Sequence, residues 1–164
     1  MTSLCYVAPT LNCGITIGAT LKSLRTTCKN SSQRKIPIYI LDGGSSDHTR
    51  YSVHALNKEY RNIHFLDMKG LHPAERMNWF IDHCKEDVAM IFHADDIYNT
   101  AARVLGVDHM IAHNAAACGS QVNYIQSPLD AAACNEKPYT GTHNTYPLSH
   151  KEISASFNFW WSVS

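Results

Sequence analysis

Short β-type runs alternate with longer helix-type runs over residues 4–92, and this alternation constrains the fold more than any other feature of the sequence. The β-type runs occupy residues 4–8, 36–41, 62–66 and 87–92. Pro9 is expected to close the first of them. Strands that alternate with helices are typical of repeated βαβ units around a parallel sheet. The sequence therefore predicts an α/β fold with a mainly parallel central sheet flanked by helices.

Helix-type runs fill the three intervals between these strands. The first covers residues 15–29, and its apolar residues at helical spacing are Ile17, Leu21, Leu24 and Cys28. The second is expected to start near Ser46 and to end near Tyr60. Its expected capping residues are Ser45, Ser46 and Asp47. The third, over residues 72–85, has Pro73 at its first helical position.

The remainder of the chain carries weaker signals. Residues 99–113 favour a further helix and residues 118–125 favour a fifth strand. Residues 126–149 are rich in Pro, Asn, Thr, Ala and Tyr without a clear period, which is typical of a long loop or lid. Because the chain has 164 residues, of which 45% are hydrophobic, it contains enough apolar material for one core, and one domain is expected.

The charge balance excludes several classes of protein. Fourteen Lys and Arg residues oppose fourteen Asp and Glu residues, so no basic field is available for nucleic acid and no nucleic-acid partner is expected. The hydrophobic fraction argues against disorder, and no apolar run approaches the roughly 20 residues of a membrane-spanning helix. The first residues, MTSLCYVAPTLNCG, lack the pattern of a secretory signal, so we expect a cytoplasmic protein.

Cysteines and histidines offer no metal-binding pattern in the sequence. The six cysteines lie at positions 5, 13, 28, 84, 118 and 134, and none belongs to a CxxC pair. This spacing argues against a zinc ribbon or a thioredoxin-like motif and favours buried free thiols. His109 and His113 have a spacing that can hold a metal on a helix, but no adjacent Glu and no nearby third ligand accompany them.

Distinctive polar tracts follow three of the predicted strands. They are PTLN at residues 9–12, DGGSSD at residues 42–47 and HADD at residues 93–96. Ligands of open parallel sheets bind outside the carboxyl ends of the strands, so these tracts are expected to converge on one site. The two adjacent acids of HADD are costly after a buried strand unless a positive group neutralises them. A hard divalent cation shared with a phosphate would do so.

Three longer segments together resemble the nucleotide-binding half of family 2 glycosyltransferases with the GT-A fold. The segments are PTLNCGITIGATLKSL, ILDGGSSDHT and ERMNWFIDHCKEDVAMIFHADDIY. Family members show a strand ending in P-T-Y-N, a second ending in D-D-G-S or D-G-G-S-T-D, an A-M-N or A-R-N helix, and a D-x-D or S-D-D signature. The resemblance implies a GT-A (Rossmann-like) single domain over residues 1–164. In it, residues 1–100 bind the nucleotide sugar and residues 101–164 form the acceptor side.

The resemblance also implies roles for individual residues. Those expected around the nucleotide sugar are Pro9, Thr10, Asn12, Asp42, Gly43, Gly44, Arg76, Asn78, His93, Ala94 and Asp95. Asp42 would accept a hydrogen bond from the uracil imide N–H. Arg76 and Asn78 would contact the base or the diphosphate, and a surface-facing Arg76 is the alternative. His93 stands where many members carry the acid that meets the ribose, which implies altered nucleotide contacts.

The resemblance further implies which residues bind a metal and where a catalytic base is expected. Asp95 takes the metal-binding position, where it would bridge Mn²⁺ or Mg²⁺ to the diphosphate, and Asp96 beside it would point to the metal or the sugar. Inverting members carry a later acid, often in an E-D pair, as the base, and no E-D pair follows Asp96. Asp130 and Glu152 are the candidates in its place.

The implied activity is transfer of a hexosyl or deoxyhexosyl group from a nucleotide-diphosphate donor, with a UDP-sugar favoured, to a glycan or another hydroxyl acceptor. Two alternatives remain open. One is a non-catalytic nucleotide-sugar-binding remnant, and the other is the catalytic front of a longer glycosyltransferase with further domains. A nucleotidyltransferase is disfavoured because PTLN offers nothing similar to its G-x-G-T-R loop.

Overall fold

A computed structural model of the chain describes residues 3–26, 35–98 and 112–113. Strands and helices alternate along the described residues, as the sequence predicts. The elements are β1 (Leu4–Thr10), α1 (Ile17–Thr26), β2 (Ile38–Asp42), α2 (Thr49–Tyr60), β3 (Ile63–Asp67), α3 (Pro73–His83) and β4 (Val88–Ile91). The α/β prediction is therefore confirmed.

The four strands form one parallel sheet in the order β3-β2-β1-β4. Strand β1 pairs with β2 up to Thr10 opposite Asp42, and with β4 up to Val7 opposite Ile91. The chain thus adds β2 and β3 on one side of β1 and then crosses to add β4 on the other side. Such a reversal of strand order opens a crevice at the carboxyl ends of the two diverging strands. The crevice here lies beyond the ends of β1 and β4.

Each face of the sheet is covered by helices. On one face, Ile17, Leu21 and Leu24 of α1 pack with Val53 of α2 against a cluster that includes Tyr6. On the other face, α3 contributes Phe80 to a cluster with the buried side chains Cys5, Val7 and Leu41. The predicted apolar stripe of the first helix is therefore confirmed at the three positions that the structure describes, and Cys28 lies outside the described residues.

The first strand is longer than predicted, because it runs through Pro9 to Thr10. The hydrogen bonds explain why the proline is tolerated. The Tyr6 amide donates to the carbonyl of Pro37, just before β2, and the Gly43 amide donates to that of Thr10. The Val7 carbonyl instead accepts from Phe92 on the β4 side. Alternate residues of a parallel strand bond to opposite neighbours, so the nitrogen of Pro9 faces β4, whose pairing has already ended at Val7. Because Pro9 has no N–H with which to continue the ladder toward β4, the pairing with β4 ends while the pairing with β2 continues to Thr10.

The second helix begins later than predicted, at Thr49, and its N-cap residue His48 makes no side-chain cap hydrogen bond. Asp47 instead accepts from the Thr49 amide at 2.9 Å through Oδ1. The predicted caps Ser45 and Ser46 bond to Asp42 and Asn12, so they belong to the loop before the helix. The prediction that Pro73 opens the third helix is confirmed. The remaining boundaries differ from the predicted ones by two residues or fewer, except for the predicted end of the first helix, which lies outside the described residues.

Several predictions fall outside the described residues. They are the helix over residues 99–113 apart from its last two positions, the strand over residues 118–125 and the loop over residues 126–149. The candidate bases Asp130 and Glu152 and the histidine pair's first member His109 also lie outside them. The single domain over residues 1–164 stays a prediction. Among the helices that the structure describes, none has the length and apolar character needed to cross a membrane.

Candidate functional site

A cleft of about 660 Å³ opens at the carboxyl edge of the sheet. It is lined by Pro9, Thr10, Leu11, Gly43, Gly70, Leu71, His72, Pro73, Glu75, Arg76 and His93. These residues lie at the end of β1, follow β2, β3 or β4, or begin α3, so the carboxyl ends of the four strands meet at one cleft. Of the HADD tract, only His93 lines it. The volume falls in the range of roughly 300–1,000 Å³ that small-molecule sites occupy.

The loop after β2 is organised around the carboxylate of Asp42, which is 2% exposed. Its Oδ1 accepts from the hydroxyls of Thr10 at 3.1 Å and Ser45 at 2.6 Å. Its Oδ2 accepts from the backbone amides of Gly44 at 3.0 Å and Ser45 at 2.8 Å. Four donors from the same chain satisfy the buried carboxylate. Asp42 therefore fixes the shape of the cleft wall, and its predicted contact with a base stays a prediction.

The loop after β1 is tied to the loop after β2 through Asn12. Its side-chain Oδ1 accepts from the Ser46 amide at 2.9 Å, and its own amide donates to the Ser45 hydroxyl at 2.8 Å. Asn12 has φ 51°, a left-handed conformation that asparagine adopts more readily than most residues. Asn12 is exposed and does not line the cleft. In this structure its side chain and its amide connect the loop after β1 to the loop after β2.

Arg76 lines the cleft although it is only 2% exposed, so the surface-facing alternative is wrong. Its Nη1 donates to the carbonyl oxygens of Thr10 at 2.7 Å and Leu41 at 2.6 Å. Burial lowers the pKa of the guanidinium, and the nearby Asp42 opposes that shift. Its buried Nε has no hydrogen-bond partner among the residues that the structure describes. A cation with unused donor capacity thus lies between the ends of β1 and β2.

The start of α3 sets the position of Arg76. His72 and Glu75 form a capping box, in which the His72 side chain accepts from the first turn and Glu75 accepts from the His72 amide at 2.6 Å. Arg76 and Phe80 are one turn apart and both are buried, so this side of α3 faces the sheet. Asn78 is exposed and does not line the cleft, because a two-residue offset turns it away from Arg76.

The HADD tract leaves β4 as a short turn. His93 donates its backbone amide to the Tyr98 hydroxyl at 2.8 Å, and that hydroxyl donates to Asp96 Oδ2 at 3.3 Å. Burial raises the pKa of Tyr98 to about 12, so the hydroxyl keeps its proton. The buried Ala94 accepts from the Thr20 hydroxyl of α1 at 2.9 Å, which anchors the turn.

Asp95 is exposed, and its carboxylate has no polar partner among residues 3–26, 35–98 and 112–113. Asp96 beside it is half-buried and keeps its second oxygen free of the Tyr98 contact. Carboxylate oxygens are the ligands that Mn²⁺ and Mg²⁺ prefer. The donor set of the two acids therefore fits a hard divalent cation.

Five of the residues expected around a nucleotide sugar line the cleft, namely Pro9, Thr10, Gly43, Arg76 and His93. The others do not, namely Asn12, Asp42, Gly44, Asn78, Ala94 and Asp95. The segment after β3 also lines the cleft, through Gly70, Leu71, His72, Pro73 and Glu75, and it was not predicted to do so. The signal for it was present, because these residues also follow a strand of the parallel sheet, but they carry no glycine-rich or acidic motif.

The sequence of the chain matches the family model of Glycosyl transferase family 2 over residues 5–159. No curated protein matches the chain significantly.

The fold is also similar to solved glycosyltransferase structures. S. aureus TarS 1–349 is 14% identical with a TM-score of 0.58, and the match covers 77% of this chain and 40% of that one. TarS 1–349 in complex with UDP-GlcNAc is 16% identical with a TM-score of 0.55, covering 77% and 39%. The mannosyltransferase PcManGT from Pyrobaculum calidifontis, in complex with GDP-Man and Mn²⁺, is 15% identical with a TM-score of 0.58, covering 65% and 32%. The chain spans less than half the length of each of these structures, and the likeness shows the GT-A fold.

Proposed function

Because the chain belongs to glycosyl transferase family 2, we propose that it binds a nucleotide-sugar donor in the cleft and transfers the sugar to a hydroxyl acceptor. One structural observation is the main support for this proposal. A cleft of ligand size lies at the point where the strand order reverses, and the buried cation Arg76 lines it. A buried arginine such as Arg76 favours a ligand that carries phosphate groups.

We propose that the nucleoside diphosphate lies against the ends of β1 and β2. Pro9, Thr10 and Leu11 would border the base, and the small Gly43 would let the backbone approach it closely. Arg76 already uses Nη1 on two carbonyl oxygens, so its remaining N–H groups would donate to the ligand. His93 would contact the ribose from the end of β4. UDP is favoured over GDP, in keeping with the complexes of TarS with UDP and UDP-GlcNAc.

Asp95 and Asp96 are the proposed holders of Mn²⁺ or Mg²⁺. Their support is the exposed, unpartnered carboxylate of Asp95 within the described residues and the presence of Mn²⁺ in the PcManGT complex. When bound, the metal would stabilise the negative charge that develops on the departing diphosphate. The Tyr98 hydroxyl holds the HADD turn by contacts to the His93 amide and to Asp96, and so it would orient the Asp96 carboxylate.

The acceptor side is assigned to residues 101–164, with Asp130 or Glu152 as the base that deprotonates the acceptor hydroxyl. Both remain proposals. Further domains of a longer polypeptide are proposed as well, since the chain spans less than half the length of the structures that it matches.

The test is release of the nucleoside diphosphate from UDP-GlcNAc and from GDP-mannose, with Mn²⁺, Mg²⁺ or no metal. We expect metal-dependent release in the wild type, a loss of at least about tenfold in Asp95→Ala, and no change in Asp82→Ala, which removes an exposed acid of α3. Equal rates in Asp95→Ala and the wild type would exclude the proposed metal site. Donor binding without release under any metal would favour the non-catalytic alternative.

A further inference from the structure

A second cluster of reactive side chains lies at the amino edge of the sheet, opposite the cleft. It consists of Cys5 near the start of β1, Cys84 at the end of α3, and Glu86 between α3 and β4. Each offers one ligand atom, and the three atoms lie within 4.8 Å of one another. The glycosyl-transfer proposal uses none of these residues.

We propose that Cys5, Cys84 and Glu86 bind a thiophilic divalent cation of the Zn²⁺ class, with a water in the fourth position. Two sulfur ligands and one carboxylate oxygen suit zinc, whereas the all-carboxylate pair Asp95 and Asp96 suits Mn²⁺ or Mg²⁺. The two sites therefore differ in metal preference, and they lie at opposite edges of the sheet.

The distances within the cluster are close to those of a tetrahedral zinc site. The Sγ atoms of Cys5 and Cys84 are 3.8 Å apart, and Cys84 Sγ is 3.3 Å from Glu86 Oε2. Two Zn–S bonds of about 2.3 Å at the tetrahedral angle separate the sulfurs by about 3.8 Å. A Zn–O bond of about 2.1 Å puts the oxygen about 3.6 Å from each sulfur. Two of the three separations are therefore within a few tenths of an ångström of the ideal values, and the third, between Cys5 Sγ and the Glu86 carboxylate, is below 4.8 Å.

The carboxylate is held in place by groups that leave it free to bind a cation. Tyr39 donates its hydroxyl to Glu86 Oε1 at 3.2 Å, and the Lys85 amide donates to Oε2 at 3.3 Å. Hydrogen bonds of this kind orient the carboxylate ligands of metal sites.

The surroundings of Cys5 also favour a bound cation. Cys5 is fully buried, and its Sγ lies 3.8 Å from Cys84 Sγ. Three groups that would repel one another as anions are thus packed together. A divalent cation would compensate their charge, and its binding would release the two thiol protons to solvent.

The experiment uses Co²⁺ as a spectroscopic substitute for Zn²⁺ on the full chain kept reduced. We expect Co²⁺ bound at this site to give a thiolate-to-cobalt charge-transfer band and the d–d bands of a tetrahedral site, and Zn²⁺ to displace it. The band is expected to disappear in Cys84→Ser, and Co²⁺ affinity to fall by about 10-fold or more in Tyr39→Phe, which keeps the ring but removes the hydroxyl. Cys13→Ser and Asp95→Ala are the matched controls and should retain the band.

Two results would overturn the proposal. One is the absence of a thiolate band in the reduced wild type, and the other is an undiminished band in Cys84→Ser, which would move the metal to other cysteines. Because a variant can fail to fold, alkylation of the wild type supplies an independent measurement. Zn²⁺ is expected to slow the labelling of Cys5 and Cys84 but not of Cys13, as read by peptide mass spectrometry. Equal labelling of Cys84 with and without Zn²⁺ would also exclude the site.

Discussion

Gly43 and Arg76 are in such close contact that a Cβ at position 43 would lie 3.0 Å from Cζ of the arginine. The guanidinium cannot easily retreat, because its Nη1 is bonded to two backbone carbonyl oxygens. The absence of a side chain at position 43 therefore leaves room for the buried Arg76 guanidinium at the end of β2. This contact joins the second strand to the third helix across the cleft.

Gly43→Ala is expected to displace the Arg76 guanidinium and to lower the free energy of unfolding by about 1–3 kcal/mol, the usual cost of overpacking. Chemical denaturation measures that change. Gly18→Ala is the control, since a Cβ at position 18 of α1 meets nothing within 4 Å and should be neutral or stabilising. Equal stability of Gly43→Ala and the wild type would mean that the guanidinium moves freely.

Arg76→Met removes the donor that serves the Thr10 and Leu41 carbonyl oxygens. We expect a loss of about 1–3 kcal/mol in unfolding free energy, because two buried carbonyl oxygens lose their hydrogen bonds to a charged donor. Arg50→Met is the matched control. Arg50 pairs with Asp67 on the surface, and such exposed pairs contribute roughly 0–1 kcal/mol. Similar losses in the two variants would contradict a structural role for the buried arginine.

Asp42→Asn replaces an acceptor of four hydrogen bonds by a group with one acceptor oxygen and one NH₂. The NH₂ would face donors, so we expect a loss of about 2–3 kcal/mol, in the range for hydrogen bonds to charged groups. Asp67→Asn tests the background, since Asp67 stands opposite Asp42 in the sheet register but is exposed. Thermal unfolding of both variants measures the difference, and an unchanged melting temperature in Asp42→Asn would contradict the account.

The carboxyl group of Asp47 is expected to make the free energy of unfolding depend on pH in the acid range. The pKa of its carboxyl is lowered, chiefly by the hydrogen bond from the Thr49 hydroxyl and also by the amides of Thr49 and Gly14. Because the folded value lies below the unfolded one, these bonds stabilise the fold above the ordinary Asp pKa of about 3.9. That stabilisation is lost as the pH falls through the folded pKa. Asp47→Asn is therefore expected to be less stable than the wild type at neutral pH and to approach it in acid.

Urea denaturation at a series of pH values measures this effect. The slope of unfolding free energy against pH should be shallower in Asp47→Asn, yet not flat, since hydrogen bonds from Ser3 also lower the pKa of Asp87. Asp82→Asn, at an exposed position of α3, should keep the wild-type slope. A constant stability difference between Asp47→Asn and the wild type at all pH values would refute the assignment.

The order of strands and helices and the edge that carries the cleft could be predicted, because periodicity and strand-end motifs are local properties. The predictions that were wrong concern boundaries set by residues that are distant in the sequence but adjacent in the fold. The tolerance of Pro9 depends on where β4 stops pairing. The late start of α2 follows from Ser45 and Ser46 being used by Asp42 and Asn12.

The burial of Arg76 and the pairing of Cys5 with Cys84 were beyond the reach of local patterns for the same reason. Arg76 is buried because α3 packs its first turn against the ends of β1 and β2. Cys5 and Cys84 are 79 residues apart in the chain and meet only when α3 returns to the start of β1. The sequence predicted buried free thiols, which agrees with Cys5, but it gave no sign of their proximity.

A calorimetric titration of UDP into the chain, with and without Mn²⁺, tests the proposed donor site. We expect UDP binding that strengthens with Mn²⁺, loses that metal dependence in Asp95→Ala and keeps it in Asp82→Ala. GDP is expected to bind more weakly than UDP. Failure of both nucleotides to bind under any metal would contradict a donor site in this cleft.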